Sequence, residues 1–222
     1  RMSLEERQEK RSSFNIQKRQ VIVLGGVILS EVRDFVRKYQ FFLSSNPGYA
    51  APLVVIAPRE NLTPRQMGLE SFKTIQRFDR NSPWPDDLGN VDFLILNTRG
   101  ELREFYGLVD LAVVGVDSGL GEPILQVVPT LSWIEGLWEY NSWTRRVMLD
   151  QRAIQPFNQQ TFTEFMLGTY DTAERRAALE RGAEILRRQY ERVIAQVVVG
   201  LSEDLLPDLL PKKAGRAVRG SL

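Results

Sequence analysis

The chain of 222 residues contains no cysteine and no histidine. Without cysteine there are no disulfides, zinc ribbons, iron–sulfur clusters or thiol nucleophiles. Without histidine, Ser-His-Asp hydrolysis, imidazole general bases and histidine metal sites are excluded as well. Any catalysis falls to carboxylates, lysine or arginine, hydroxyls, backbone dipoles or an oxygen-bound metal, and no resident cofactor or metal is expected. No apolar run reaches the roughly 18–20 residues that span a bilayer, and no signal-peptide pattern is legible at the start. Net charge is nearly absent: 29 Lys and Arg stand against 28 Asp and Glu. That balance gives no case for whole-chain nucleic-acid binding. Hydrophobic residues at 43% and charged residues at 26% make an ordinary globular mixture, long enough to bury a substantial core.

Residues 1–19 are mainly basic, with Met2, Leu4, Phe14 and Ile16 the only apolar side chains. They read as a solvated arm or short helix able to dock to a partner or a membrane surface. Then strand and helix signals alternate. Val21–Leu24, Leu53–Ala57, Phe72–Phe78, Val91–Leu96 and Leu111–Val116 read as strands. Helical segments fall between them: Ser30 to about Leu43, residues 61–70, and Arg99 to about Leu108. Continuously apolar strands separated by helices mean a parallel sheet covered on both faces. Residues 20–135 therefore read as a doubly wound α/β layer of Rossmann-like type, followed by C-terminal helices. Domain boundaries fall at 1–19 (arm), 20–170 (Rossmann-like domain), 171–200 (long helix capped by Asp171 with Glu174) and 201–222 (basic tail). The polar face of that helix is rich in arginine, a solvated face or a surface for an acidic or phospholipid partner.

In doubly wound sheets ligands bind at the carboxyl ends of the strands, where the chain order switches. The turns after the strands are therefore the candidate site. Thr98-Arg99-Gly100-Glu101 follows the fourth strand and offers either a phosphate-binding helix start or a plain capping box. Asp117-Ser118-Gly119-Leu120-Gly121-Glu122-Pro123 follows the fifth. Its glycines allow close backbone approach, and Glu122 could accept from ribose hydroxyls or simply favour a helix start. Arg59, at the end of the second strand, reads either as a phosphate partner or as a surface arginine. Gly25-Gly26 is a glycine turn without the GxGxxG or GxxxxGK[ST] fingerprint. Trp133, Trp138, Tyr140 and Trp143 form an aromatic cluster suited to core packing or, less readily, to a sugar platform.

Taken in order, these turns resemble the C-terminal half of the Kdo (3-deoxy-manno-octulosonate) transferases of lipopolysaccharide synthesis, GT-B glycosyltransferases that use a CMP-linked sugar. Asn97-Thr98-Arg99-Gly100-Glu101-Leu102, Phe105-Tyr106 and Val109-Asp110-Leu111-Ala112-Val113-Val114-Gly115 are similar to the family's D-T-M-G-E-L segment, tyrosine and A-D-x-A-F-V-G strand. Ala57-Pro58-Arg59 resembles its A/V-P-R-H strand end, Gly121-Glu122-Pro123 its N-P-L-E-P turn, and Pro129-Thr130-Leu131 its K-P-V-L strand. The family's histidine after Pro-Arg is Glu60 here, its G-S-T-H-E-G loop is Gly25–Ser30, and its G-G-H-N turn is Asp117-Ser118-Gly119. The resemblance implies a nucleotide-sugar site on Gly25, Gly26, Arg59, Thr98, Gly100, Glu101, Ser118, Gly119 and Glu122, with a CMP-linked sugar as partner. It assigns no catalytic residue in this chain. The acceptor and base would belong to an N-terminal Rossmann domain or a larger assembly, in a cytoplasmic protein able to touch a membrane through its basic segments. The alternative is a GT-B-like domain kept as a structural or interaction subunit without catalysis.

Overall fold

In the computed structural model the five apolar runs are strands, and the first is the centre of the sheet. β1 (Val21–Val27) pairs with β2 (Leu53–Pro58) on one side and β5 (Leu111–Val114) on the other. Beyond β2 lie β4 (Phe93–Leu96) and β3 (Thr74–Arg77); beyond β5 lie β6 (Thr130–Ser132) and β7 (Gln155–Pro156). The order is β3-β4-β2-β1-β5-β6-β7, and every pairing is parallel. This is the doubly wound α/β sheet expected from the sequence. The structure describes residues 2–85, 87–98, 100–115, 120–134, 142–170 and 172–205.

Strand alternation divides β1 between two faces. Ile22 and Leu24 point into the core that α2 (Leu29–Ser45) covers with Val32, Phe35, Val36, Tyr39 and Phe42, an i, i+3, i+4, i+7 stripe. Gly25 faces the other way. A Cβ there would stand 2.5 Å from the Tyr106 hydroxyl of α4 (Leu102–Tyr106). The glycine is thus required by packing against Tyr106.

The amino edge of the sheet is held by arginines. Arg19 donates to the carbonyls of Ala51, Pro52, Leu88, Gly89 and Val91 at 2.7–3.2 Å. Burial pushes its guanidinium below the usual arginine range, against the pull of nearby Asp92. Asp110 accepts from Arg7 at 2.7 Å, Arg11 at 3.2 Å and the Val21 amide at 2.9 Å. These bonds dock the first helix, α1 (Leu4–Ser13), which a Ser3–Glu6 capping box starts. Most of the expected arm is therefore a docked helix.

Other elements differ from their expected bounds. The helix expected over 61–70 is only α3 (Pro64–Met67), stopped by Gly68 at φ +77°. The helix expected from Arg99 starts at Leu102, after Gly100 at φ +86°. α5 spans Gly121–Leu125, and α6 (Ser142–Asp150), β7 and α7 (Gln159–Met166) complete the layer. The long helix α8 (Ala173–Leu205) is capped by Thr172, whose hydroxyl accepts from the Arg175 amide at 3.2 Å. Its expected cap, Asp171, lies outside the described residues. The chain divides into two compact units, Arg1–Glu184 and Ile185–Leu222; the described part of the second is helical to Leu205.

One helix end and one position inside α2 carry an unfavourable residue. After α5, Val127 donates to Ile124 O at 2.9 Å and Val128 to Pro123 O at 3.0 Å, the paired bonds of a Schellman cap. The left-handed position is Val127, at φ +59°, where a β-branched side chain crowds its own backbone. Replacing Val127 with glycine is expected to raise stability by about 1 kcal/mol, seen as a higher urea midpoint at constant slope. Tyr39 is fully buried, and its hydroxyl has no hydrogen-bond partner. Burial pushes that phenol far above its usual pKa. Tyr39→Phe should therefore be neutral or stabilise by up to about 1 kcal/mol, because it removes an unsatisfied donor and keeps the ring.

Candidate functional site

The chain order switches between β1 and β5, so the fork between their carboxyl ends is the crevice where a ligand would enter. Here the fork is filled from within. Glu31, in the first turn of α2, is 6% exposed, and its Oε2 accepts from the Ile28 amide at 2.9 Å. Its carboxylate thus satisfies a free donor at the α2 N-terminus, where an anion would otherwise sit. A Cβ on Gly115 would stand 2.6 Å from both Glu31 Oε2 and the Gly26 carbonyl, so only glycine fits at the end of β5. Arg145 of α6 is fully buried and donates to Gly115 O at 2.8 Å and Trp133 O at 3.4 Å. A carboxylate and a guanidinium of the chain itself therefore occupy the ends of the central strands.

The turn after β4 is also committed. Glu101 is 1% exposed and pairs with buried Arg77 of β3 at 2.8 Å. Arg77 also donates to Arg80 O, Ser82 O and Pro83 O at 2.6–2.9 Å and lies 4.2 Å from the centroid of Trp84. Thr98 donates to the same Glu101 carboxylate. Glu101 stands at the N-cap of α4, and its side chain makes no capping hydrogen bond. Its carboxylate neutralises Arg77 and ties down the loop over 79–84. Gly100 is exposed, and the five residues of α4 align few peptide dipoles.

Beyond β5, Ser118 and Gly119 lie outside the described residues. Glu122 is exposed, on an α5 of five residues. Its charge acts on Tyr106, whose phenol is pushed up first by burial and then by Glu122. Gly25, Tyr106 and Glu122 thus make one structural group, and Thr98, Gly100 and Glu101 another.

Gly26 and Arg59 are brought together, with Glu31 on the same wall, on a cavity of about 680 Å³ at the carboxyl edge. Its walls are the start of α2, the Arg59 turn, Trp133 and Ile134 after β6, and the Pro156–Asn158 segment. Trp133 and Phe157 meet at 4.5 Å between centroids, and Lys38 Nζ lies 5.4 Å from the Phe157 ring. Asp34 orients this wall. It accepts from Trp133 Nε1 at 3.0 Å and Arg37 at 2.5 Å, and also from Lys38. Burial pushes the Asp34 carboxyl up, but the bonds from Lys38, Trp133 and Arg37 outweigh it and hold the pKa below the usual value. Asp34, Arg37, Lys38 and Phe157 were not read as site residues. The spacing of Asp34 and Lys38, i and i+4 on one helix, was the available signal. Of the aromatic cluster, Trp138 and Tyr140 lie outside the described residues. No group of acidic side chains able to hold a metal ion occurs among the described residues.

No family model matches the chain, and no curated protein matches it. Among solved structures it is similar to the C-terminal CMP-Kdo binding domain of WaaA from Acinetobacter baumannii, with a TM-score of 0.62 and 16% identity over 82% of this chain and 96% of that one. The two share one fold. The calicheamicin glycosyltransferase CalG4 matches at a TM-score of 0.48 and 14% identity, covering 80% of this chain and 42% of that one. A structure of accessory secretory proteins 1, 2 and 3 from Streptococcus pneumoniae matches at 0.43 and 14%, covering 88% and 36%. The architecture is thus a doubly wound Rossmann-like α/β layer, the fold of the WaaA domain.

The Arg77–Glu101 pair gives a direct check on the role of the β4 turn. Both side chains are at most 5% exposed, and removing one partner leaves a buried charge. Glu101→Gln is expected to cost about 3 kcal/mol, read by urea unfolding. Retention of full stability would return Glu101 to the list of ligand contacts.

Proposed function

We propose that the chain is the donor-binding half of a GT-B glycosyltransferase, and that it takes a nucleotide-linked sugar acid of the CMP-Kdo kind in the cavity lined by Gly26 and Arg59. One observation carries the reading. At the carboxyl edge of a fold shared with a CMP-Kdo binding domain, Arg37, Lys38 and Arg59 border an open cavity that also offers the Trp133 and Phe157 rings. Its volume of about 680 Å³ suits a ligand of nucleotide-sugar size. Guanidinium and ammonium groups meet phosphate and carboxylate, while the rings give base or sugar an apolar wall. The chemical step is not assigned to this chain. The base and acceptor belong to a second domain or partner, and a membrane-linked acceptor of lipopolysaccharide type fits the same reading.

Glu31 favours a second reading, in which the fold persists as an interaction module without a donor. A carboxylate held at the α2 N-terminus repels the anion that would otherwise bind there.

Calorimetric titration with CMP decides between them. Under the first reading CMP binds, and Arg59→Ala, Lys38→Ala and Trp133→Ala each weaken it by about tenfold, the scale of one lost charged or stacking contact. Glu122→Ala leaves the affinity unchanged, because Glu122 does not line the cavity. Absence of heat at millimolar CMP favours the second reading. A loss that follows Glu122 and spares Lys38 removes the cavity from the proposal.

A further inference from the structure

The two edges of the sheet are built differently. In β7, Phe157 donates to Ser132 O at 2.8 Å, so the residues on either side of Pro156 face β6 and the proline faces away. Proline has no N–H, and this edge offers a further strand little to bond. β3 is the opposite edge. Lys73 O accepts from Asp92 N at 2.8 Å and Arg77 O from Asn97 N at 2.9 Å. Positions 73, 75 and 77 therefore face β4, and the main-chain groups of Thr74, Gln76 and Phe78 face away from the sheet. No described residue bonds them. The segment holds no proline, its register on β4 has no shift, and Phe78 is 64% exposed. A row of free donors and acceptors is a template for another strand.

Charge selects the strand that fits. Residues 73–79 read KTIQRFD, with a cation at one end and a carboxylate at the other. Arg77, between them, is buried against Glu101 and takes no part. Lys73 is exposed and its ammonium has no ion pair among the described residues; its charge acts on Asp87 from a distance. Asp79 accepts from Asn81 N at 2.9 Å and Ser82 Oγ at 3.2 Å, one bond on each carboxylate oxygen, which leaves both with a further acceptor site.

Laid antiparallel on a copy of itself about Gln76, this segment sets Lys73 opposite Asp79 at both ends. Phe78 then stands opposite Thr74, an aromatic against a β-branched side chain. Each outward residue meets an outward residue, the hydrogen-bonded pairing of an antiparallel ladder. Neighbouring registers are worse. A slip of one residue sets outward positions against inward ones. A slip of two sets Lys73 against Arg77 in one direction and against Asn81 in the other. Each copy thus presents the edge its partner needs, which is the condition for a two-fold interface.

We propose that β3 pairs antiparallel with β3 of a second copy of this chain, joining the two sheets into one about a two-fold axis at Gln76. The interface uses no residue of the carboxyl-edge cavity, so it stands whether or not a donor binds there. Sedimentation equilibrium on the full chain from about 1 to 100 µM should show the average mass rising towards two chains. The amides of residues 74, 76 and 78 should exchange with deuterium more slowly at the upper concentration. Lys73→Asp brings like charges together at both ends and should raise the dissociation constant at least about tenfold. Adding Asp79→Lys exchanges the two ends and should restore it, which a structural defect would not. Gln76→Pro removes the central outward donor while the main-chain bonds to β4 remain, and should give one chain mass throughout. Equal melting temperatures at the lowest concentration report that the fold is intact across the set. The proposal is overturned by a native chain that stays at one chain mass over the whole range, or by association that leaves exchange at 74, 76 and 78 unchanged. It is also overturned if Gln76→Pro associates as the native chain does, or if the charge-exchanged chain stays as weak as Lys73→Asp.

Discussion

The position of one carboxylate decides what the centre of this molecule can do. Glu31 folds back on the first turn of α2 and bonds the Ile28 amide, while the missing Cβ of Gly115 leaves room for its oxygen. Ile28, at the N-cap, has no side-chain oxygen with which to satisfy that turn, so the third residue of the helix supplies the acceptor. The central strands can then close against each other, with Gly115 N bonding Gly25 O at 3.1 Å. A doubly wound sheet usually leaves this place open for a ligand. In this chain the same donors and the same dipole serve the fold.

Filling the fork moves the open part of the carboxyl edge sideways, towards α2, β6 and β7. There the polar groups are set by a different device. Asp34 gathers Trp133, Arg37 and Lys38, so the cationic groups and the indole are oriented before any ligand arrives. Such preorganisation lowers the ordering cost of binding. It also takes from Arg37 and Lys38 part of the charge a phosphate would use.

The fold was legible because buried parallel strands are apolar on both faces, and Val21–Leu24, Leu53–Ala57 and Leu111–Val114 show it without interruption. β7 was not, because two residues leave no periodicity to read. The turn after β4 shows a more specific limit. Thr98 and Glu101 have capping-box spacing, yet Glu101 answers to Arg77, which is 24 positions earlier and sits in what reads as an ordinary half-polar strand. A buried ion pair between residues so far apart leaves no local signature. The cavity shows the same limit. Arg59 and Gly26 were marked individually by their places at strand ends. Lys38 and Trp133 are 95 residues apart in sequence, and only the pairing of β6 with β5 and the packing of α2 on that face bring them to one wall.

The two edges of the sheet are built on opposite principles. At the amino edge, Arg19 and Asp110 bind backbone and charge from four separate segments, and each of their bonds is internal. Loss of either would leave buried carbonyls or a buried guanidinium without a partner, the costly direction for a polar substitution. At the carboxyl edge the polar side chains around the cavity lie on turns and on the solvent side of α2, and Arg37 is 77% exposed. Substitutions there cost the fold little. The residues that would recognise a ligand at the cavity can therefore change while the sheet stays the same. This division fits a fold that persists at 16% identity to its structural neighbour.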